Sequence, residues 1–210
     1  MTDDQRAQRE QDLIAYYNNE APARVGRELP DERVARRTAY LQQLDRESRR
    51  SVLEIGCGPG RDGQAISDAG FDYTGVDLAP ASVDTCRSLG LDARVASVLE
   101  LPFEDATFDA GWTMSTLLHI ANEDLDQALS EITRVLRPGA PLAIGLWGAS
   151  DPTEQAWQDN TDFGPARFFS IRTDPTLRKT LRLHADLELW QTWNDDQAMH
   201  YQWAVLRTTR

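Results

Sequence analysis

Between residues 51 and 147, short apolar runs alternate with segments of helical period, and no other feature of the chain restricts its folding so strongly. The runs are 51–55 (SVLEI), 73–77 (YTGVD), 93–97 (ARVAS), 108–113 (FDAGWT) and 140–147 (APLAIGLW), with helix-like segments at 61–69, 80–89 and 122–136. Leu136-Arg137-Pro138-Gly139 closes the last of these with a breaker pair. Such repetition builds a parallel sheet covered on both faces, joined by right-handed crossovers. Two helices precede it, at 4–17 and 31–47; the second starts at Pro30-Asp31 and spaces Val34, Tyr40, Leu41 and Leu44 at near-helical intervals. Residues 148–170, rich in Gly, Pro, Asp and aromatics, read as loop. A helix at 174–184 follows, then DLELWQTW and HYQWAVLR alternate as two strands about a short polar turn. The expected fold is α/β and doubly wound: a mostly parallel seven-stranded sheet with an antiparallel C-terminal strand and N-terminal helices.

A chain of 210 residues supports one sizeable core, so 1–210 is expected to form a single domain. Within it, 1–48 is a helical cap, 50–147 the binding core, 148–170 a loop bordering a substrate, and 171–210 a C-terminal helix and two strands. Net charge is −12, and Lys179 is the only lysine. An acidic surface repels a phosphate backbone over about 8–10 Å at physiological salt, so nucleic acid is not the expected partner. The arginine clusters 33/36/37 and 46/49/50 read as solvated helix faces with acidic neighbours. No apolar stretch approaches the roughly 20 residues of a membrane helix. The opening MTDDQRAQREQD is too polar for a secretory signal or transit peptide. Cys57 and Cys86 form no metal spacing and no disulfide framework, so a reducing cytoplasm is the expected location.

The stretch SVLEIGCGPGRDG carries a strand into a glycine loop that opens a helix. Gly56, Gly58 and Gly60 permit positive φ and close approach, and Pro59 stiffens the turn. Arg61 stands where a dinucleotide fingerprint needs its third glycine, and no Gly-Lys-Ser/Thr follows, so neither phosphate-binding pattern is met. Alone, the loop reads equally as a tight turn without a ligand. Asp77, 21 residues past Gly56, ends the next strand, where a carboxylate can reach a ribose or cap a helix. Ser97-Val98-Leu99 ends the third. Three polar or special strand ends therefore meet at the carboxyl edge, where open α/β sheets bind ligands.

These residues resemble the class I S-adenosylmethionine-dependent methyltransferases, a Rossmann-like family, over about 50–147 and more loosely to the C-terminus. Glu54-Ile55-Gly56-Cys57-Gly58-Pro59-Gly60 is similar to the family's first motif and Gly75-Val76-Asp77-Leu78-Ala79-Pro80 to its second. Leu101-Pro102-Phe103, Phe108-Asp109 and Arg134-Val135-Leu136-Arg137-Pro138-Gly139 resemble its later signatures. The resemblance implies that S-adenosylmethionine lays its methionine part against the glycines, where a Cβ at Gly56 or Gly58 would collide with it, while Asp77 holds the ribose and Leu78 packs on adenine. It further implies cofactor contacts from Glu54, Cys57, Gly60, Val98, Leu99, Thr113, Met114 and Tyr17. Arg61 either steers the cofactor carboxylate or pairs with Asp62 or Asp68 at the surface. Ser97 departs from the family: it replaces an Asp that bonds the adenine amino group, which re-routes adenine recognition toward the Val98 and Leu99 backbone.

The implied activity is methyl transfer to O or N of a small-molecule acceptor. Alignment can supply about 7–11 kcal/mol of such a barrier, and a general base adds roughly 10²–10⁴-fold when the nucleophile carries a proton. His119, beyond the fourth strand, is the candidate base, with a structural histidine as the competing role. Trp112, Trp147, Phe168 and Phe169, together with Met114 and Trp157, are candidates to wall the acceptor pocket or to pack core and lid. Tyr16 and Tyr17 either close over the cofactor or pack on the sheet. His184 reads as a helix-end residue and His200 as a strand residue, and three scattered histidines make no metal site. Thr113-Met114-Ser115-Thr116 stands where amino-methylating members carry Asn/Asp-Pro-Pro-Tyr/Phe, which argues against nucleobase or glutamine acceptors. A cofactor-binding protein without turnover is the alternative reading; a nucleotide-sugar or dinucleotide oxidoreductase is disfavoured by Arg61.

Overall fold

The computed structural model describes residues 3–194 and 199–209. Helices α1 (Asp3–Arg24) and α2 (Asp31–Arg46) lead into β1 (Ser51–Ile55), α3 (Arg61–Asp68), β2 (Asp72–Asp77), α4 (Pro80–Ser88) and β3 (Asp92–Val95). Then come β4 (Ala110–Met114), a 3₁₀ turn (Leu117–His119), α5 (Leu125–Val135) and β5 (Pro141–Ala149). The chain finishes with β6 (Thr153–Trp157), β7 (Arg167–Ile171), α6 (Asp174–His184), β8 (Ala185–Asn194) and β9 (Met199–Thr208). The main sheet has seven strands in the order β3-β2-β1-β4-β5-β9-β8. Its first five strands run parallel, and β9 lies antiparallel between β5 and β8. The expected mixed sheet is therefore the observed one. The polar turn read between the last two strands falls at 195–198, outside the described residues.

Both faces of the central strands are buried, which is why their sequences are nearly continuous apolar runs. Leu53 and Ile55 of β1 with Leu142, Ile144 and Leu146 of β5 face α5 and α6. On the other face, Val52, Ala110, Trp112, Ala143 and Trp203 meet Tyr40 and Leu44 of α2, Ile66 of α3 and Val83 of α4. Alternation along β4 thus sends Trp112 into this second core, away from any pocket. Its ring packs 5.5 Å from those of Tyr40 and Trp203, and its Nε1–H donates to Asp62 at 3.1 Å. The acceptor-wall role expected of Trp112 is corrected: the residue is core.

The sequence reading also needs correction at α1, which runs on through Pro22 to Arg24 instead of ending at 17. Residues 148–170 are not simply loop, because β6 and β7 pair Thr153–Trp157 with Arg167–Ile171 as a separate antiparallel sheet. Phe108 makes only a bridge to Leu136, so β4 begins at Ala110. Strand order reverses between β1 and β4, and at the carboxyl ends of those two strands the connections diverge and open a crevice. Among the described residues no helix is long and apolar enough to cross a membrane.

Candidate active site

Past Ile55 the chain turns through Gly56 (φ +75°), Gly58 (φ +52°) and Gly60 (φ +85°). The Gly56 and Cys57 amides donate to the Val76 carbonyl at 2.8 and 3.0 Å, tying the loop to β2. Asp77 fixes it from the other side, taking the Gly58 N–H on Oδ2 and the Ala79 N–H on Oδ1, each at 2.8 Å. Burial raises the pKa of Asp77 despite these backbone bonds. A Cβ built on Gly58 meets nothing within 4 Å, so the bare face of that residue borders open cleft. At Gly56 the same atom would meet Thr116, with Cβ and Cγ2 at 2.8 and 2.7 Å. Gly56 therefore has protein packed against it: the collision expected there between a Cβ and the ligand is, in the structure, one with Thr116.

Along the rim, β3 gives way to Ser97, Val98 and Leu99, opposite Leu78. The Ser97 Oγ–H donates to Glu10 of α1 at 2.6 Å, and its oxygen accepts the Leu99 N–H at 3.2 Å. The far wall holds Tyr17 and His119. His119 Nδ1 lies 2.8 Å from the Phe168 carbonyl, an acceptor only, so Nδ1 carries the proton. Nε2 then accepts the Tyr17 O–H at 2.6 Å. Burial lowers the His119 pKa to about 4, helped by the charges of Arg167 and Arg24, so the ring is neutral at neutral pH. The Tyr17 phenol is pushed upward by the same burial.

Basic side chains ring the opening although the chain is acidic overall. Arg6 pairs with Asp124 at 2.5 Å and Arg24 with Glu20 at 2.9 Å. Arg33 and Arg37 both hold the buried Asp62; burial opposes ionisation there, but the two guanidiniums overcome it and lower the Asp62 pKa. Asp68 accepts from Gln64. Arg61 therefore pairs with neither of the acids expected for it; it donates to the Arg27 carbonyl at 2.9 Å and has no carboxylate partner among the described residues. Burial and the charges of Arg33 and Arg24 depress its pKa, against a smaller opposing pull from Asp62.

Gly56, Cys57, Gly58, Arg61, Asp77, Leu78, Ser97, Val98, Leu99, Met114, Tyr17 and His119 thus line one cleft. Glu54, Gly60 and Thr113 do not. Glu54 is buried beneath the loop, accepting the Tyr73 O–H at 2.7 Å, and its pKa is raised well above the usual value by burial. Gly60 caps α3, where a Cβ would press on Leu91. Thr113 is buried beside Ile55, its hydroxyl without a partner among the described residues. Of the remaining acceptor-wall candidates, Met114 lines the cleft while Trp147, Trp157, Phe168 and Phe169 fall outside. Trp147 packs edge-on to Tyr201, Phe168 lies under Arg9, and Phe169 packs at a tilt against His119 and lines a second cavity with Trp157. Tyr16 is buried, donating to Asp159 at 2.5 Å. His184 and His200 bond Asp126 and Asp174 at 2.8 and 2.6 Å. Arg6, Glu10, Leu13, Arg24 and Arg33 escaped the sequence reading, since α1 and α2 show only mixed charge and nothing local tells which face meets the crevice.

Comparison with known proteins places this geometry. A family described as "Methyltransferase domain" matches residues 53–144. An O-methyltransferase of Aspergillus sclerotiorum, resE, is 31% identical over 126 residues, covering 56% of this chain and 46% of its own. The malonyl-[acyl-carrier protein] O-methyltransferase of Pseudescherichia vulneris is 37% identical over 122 residues, 56% of this chain and 48% of its own. The chain thus spans about half the length of these curated relatives. Among solved structures, the 1,6-didemethyltoxoflavin-N1-methyltransferase of Burkholderia thailandensis, with bound 1,6-didemethyltoxoflavin and S-adenosylhomocysteine, superposes with a TM-score of 0.76. That alignment covers 100% of this chain and 92% of the other at 22% identity, a likeness of fold. Residues 53–144 thus match a methyltransferase domain, and over its whole length the chain shares the fold of the methyltransferase on which it superposes.

Proposed function

We propose that the cleft binds S-adenosylmethionine and that the protein transfers its methyl group to an oxygen or nitrogen of a small molecule. The observation that carries this reading is the juxtaposition, at one switch point, of three features: the side-chain-free face of Gly58, the Asp77 carboxylate, and the Arg61 guanidinium, which makes no ion pair among the described residues. They match the methionine backbone, the ribose diol and the methionine carboxylate of that cofactor. Bound there, the cofactor supplies an activated methyl group and its own leaving group. Leu78, Val98 and Leu99 provide apolar walls for a base. The names of the relatives support a small-molecule acceptor, as does the acidic charge of the chain.

The protein's part is chiefly alignment. The proton on Nδ1 of His119 is held by Phe168 and its Nε2 lone pair by Tyr17, so the ring is a poorly placed and weak base. The pair fixes the cleft wall and leaves the Tyr17 oxygen to orient an acceptor. Met114, Ser115 and Thr116, at the end of β4, border the same space. Incubation with methyl-labelled cofactor and a panel of phenolic, carboxylic and heterocyclic nitrogen acceptors tests the proposal. Label appearing in an acceptor supports it; binding without transfer to any acceptor returns the reading to a non-catalytic binding protein.

A further inference from the structure

Glu10 lies on the first helix, 87 residues before Ser97, yet the two side chains share a 2.6 Å hydrogen bond on the cleft wall. The serine spends its proton on Glu10 Oε1 and accepts the Leu99 N–H, so it positions the carboxylate. No described hydrogen bond or ion pair engages the second Glu10 oxygen. A strong acceptor therefore lines the same cleft as the apolar side chains of Leu78, Val98 and Leu99.

Adenine presents the complementary group, an exocyclic amino donor. A 6-oxo purine presents the reverse, an acceptor next to an N–H. We propose that Glu10, held in place by Ser97, is the residue that selects adenine over 6-oxo purines in the cofactor. The specificity determinant thus sits on α1 and not on the sheet. It follows that α1 must be docked for the base to be read; Asn18 helps dock it by accepting the Ala81 N–H at the start of α4 at 2.9 Å. The inference rests on the cofactor reading above.

The test is a calorimetric titration of S-adenosylhomocysteine and S-inosylhomocysteine against the wild type and the variants Glu10→Ala, Glu10→Gln and Glu10→Ala/Ser97→Asp. The wild type is expected to prefer the adenosyl compound, and Glu10→Ala to lose about ten- to hundred-fold of that preference. Glu10→Gln keeps the shape of the side chain, and its amide can donate to the 6-oxo group, so its preference is expected to level or invert. The double variant restores a carboxylate at the strand end and is expected to recover discrimination in favour of adenine. Glu10→Ala and Glu10→Gln variants that bind both compounds with wild-type ratios overturn the proposal while leaving the cofactor reading intact. A wild type that binds neither compound overturns both.

Discussion

Trp112 donates its indole N–H to Asp62 at 3.1 Å, so the first turn of α3 is fastened to the middle of β4 beneath the glycine loop. Arg33 and Arg37 of α2 complete the coordination of this carboxylate, which is 1% exposed. One acid thus joins three elements under the cleft floor. Asp62→Asn leaves two guanidiniums facing a neutral amide, and breaking a buried pair in this way costs about 3–5 kcal/mol. Denaturant unfolding is expected to show a loss of that order for Asp62→Asn and a smaller one for Arg37→Gln, since Arg33 remains. Equal stability of Asp62→Asn and the wild type would remove the carboxylate from its structural role.

His119 gives the protein a pH dependence with a definite sign. Its pKa is about 4 in the folded chain against an ordinary 6.5, so the unfolded chain takes up the proton first as pH falls. The stability held by the neutral ring is fully present above pH 6.5 and is lost as pH drops toward 4. The shift corresponds to roughly 3 kcal/mol. Melting temperatures between pH 7.5 and 4.5 are expected to fall more steeply for the wild type than for His119→Gln. Parallel curves would show that the ring titrates normally. The same variant tests chemistry: methyl transfer slowed by far less than the 10²-fold lower bound of a general base fits positioning.

The contact between Gly56 and Thr116 is expected to appear as non-additivity. Gly56→Ala suffers from positive φ, about 1–2 kcal/mol, and from overlap with Thr116, about 1–3 kcal/mol more. Thr116→Ala removes the two overlapping atoms beyond Cβ, relieving part of the clash, but also a hydrogen bond to the Ile55 carbonyl. The double variant is expected to be more stable than the sum of the singles by on the order of 1 kcal/mol. Strict additivity in urea unfolding would mean that the two residues do not meet.

Arg61 and Asp77 are assigned to different ends of one ligand, so their variants should separate by probe. Arg61→Gln is expected to weaken S-adenosylhomocysteine, which has a carboxylate, and to leave 5′-methylthioadenosine, which lacks it, unchanged. Asp77→Ala is expected to weaken both by about 1.5–3 kcal/mol, the worth of hydrogen bonds to a charged group. Equal losses for both ligands in Arg61→Gln would move the carboxylate site elsewhere.

The sheet could be read from the sequence because each central strand is buried on two faces and so writes itself as an apolar run bounded by breakers. The strand-end residues Gly58, Asp77 and Ser97 followed, since an open α/β sheet places its crevice there whatever the helices do. Which face a strand residue takes was harder to read. Trp112 looks like a pocket aromatic until alternation along β4 assigns it to the α2 side. The contribution of α1 was hidden for a different reason. Glu10, Leu13 and Arg24 reach the cleft only through contacts between residues far apart in sequence, and α1 has no apolar stripe strong enough to announce its buried side. The pairing of β6 with β7 was missed because β6 is exposed along its length and lacks the alternation that betrays a half-buried strand.

The most direct measurement is calorimetric titration of the folded wild-type protein with S-adenosylhomocysteine. A saturable one-to-one isotherm, accompanied by a rise in melting temperature with ligand concentration, is the expected result. Folded protein that gives neither heat nor stabilisation at millimolar ligand contradicts the assignment of the cleft.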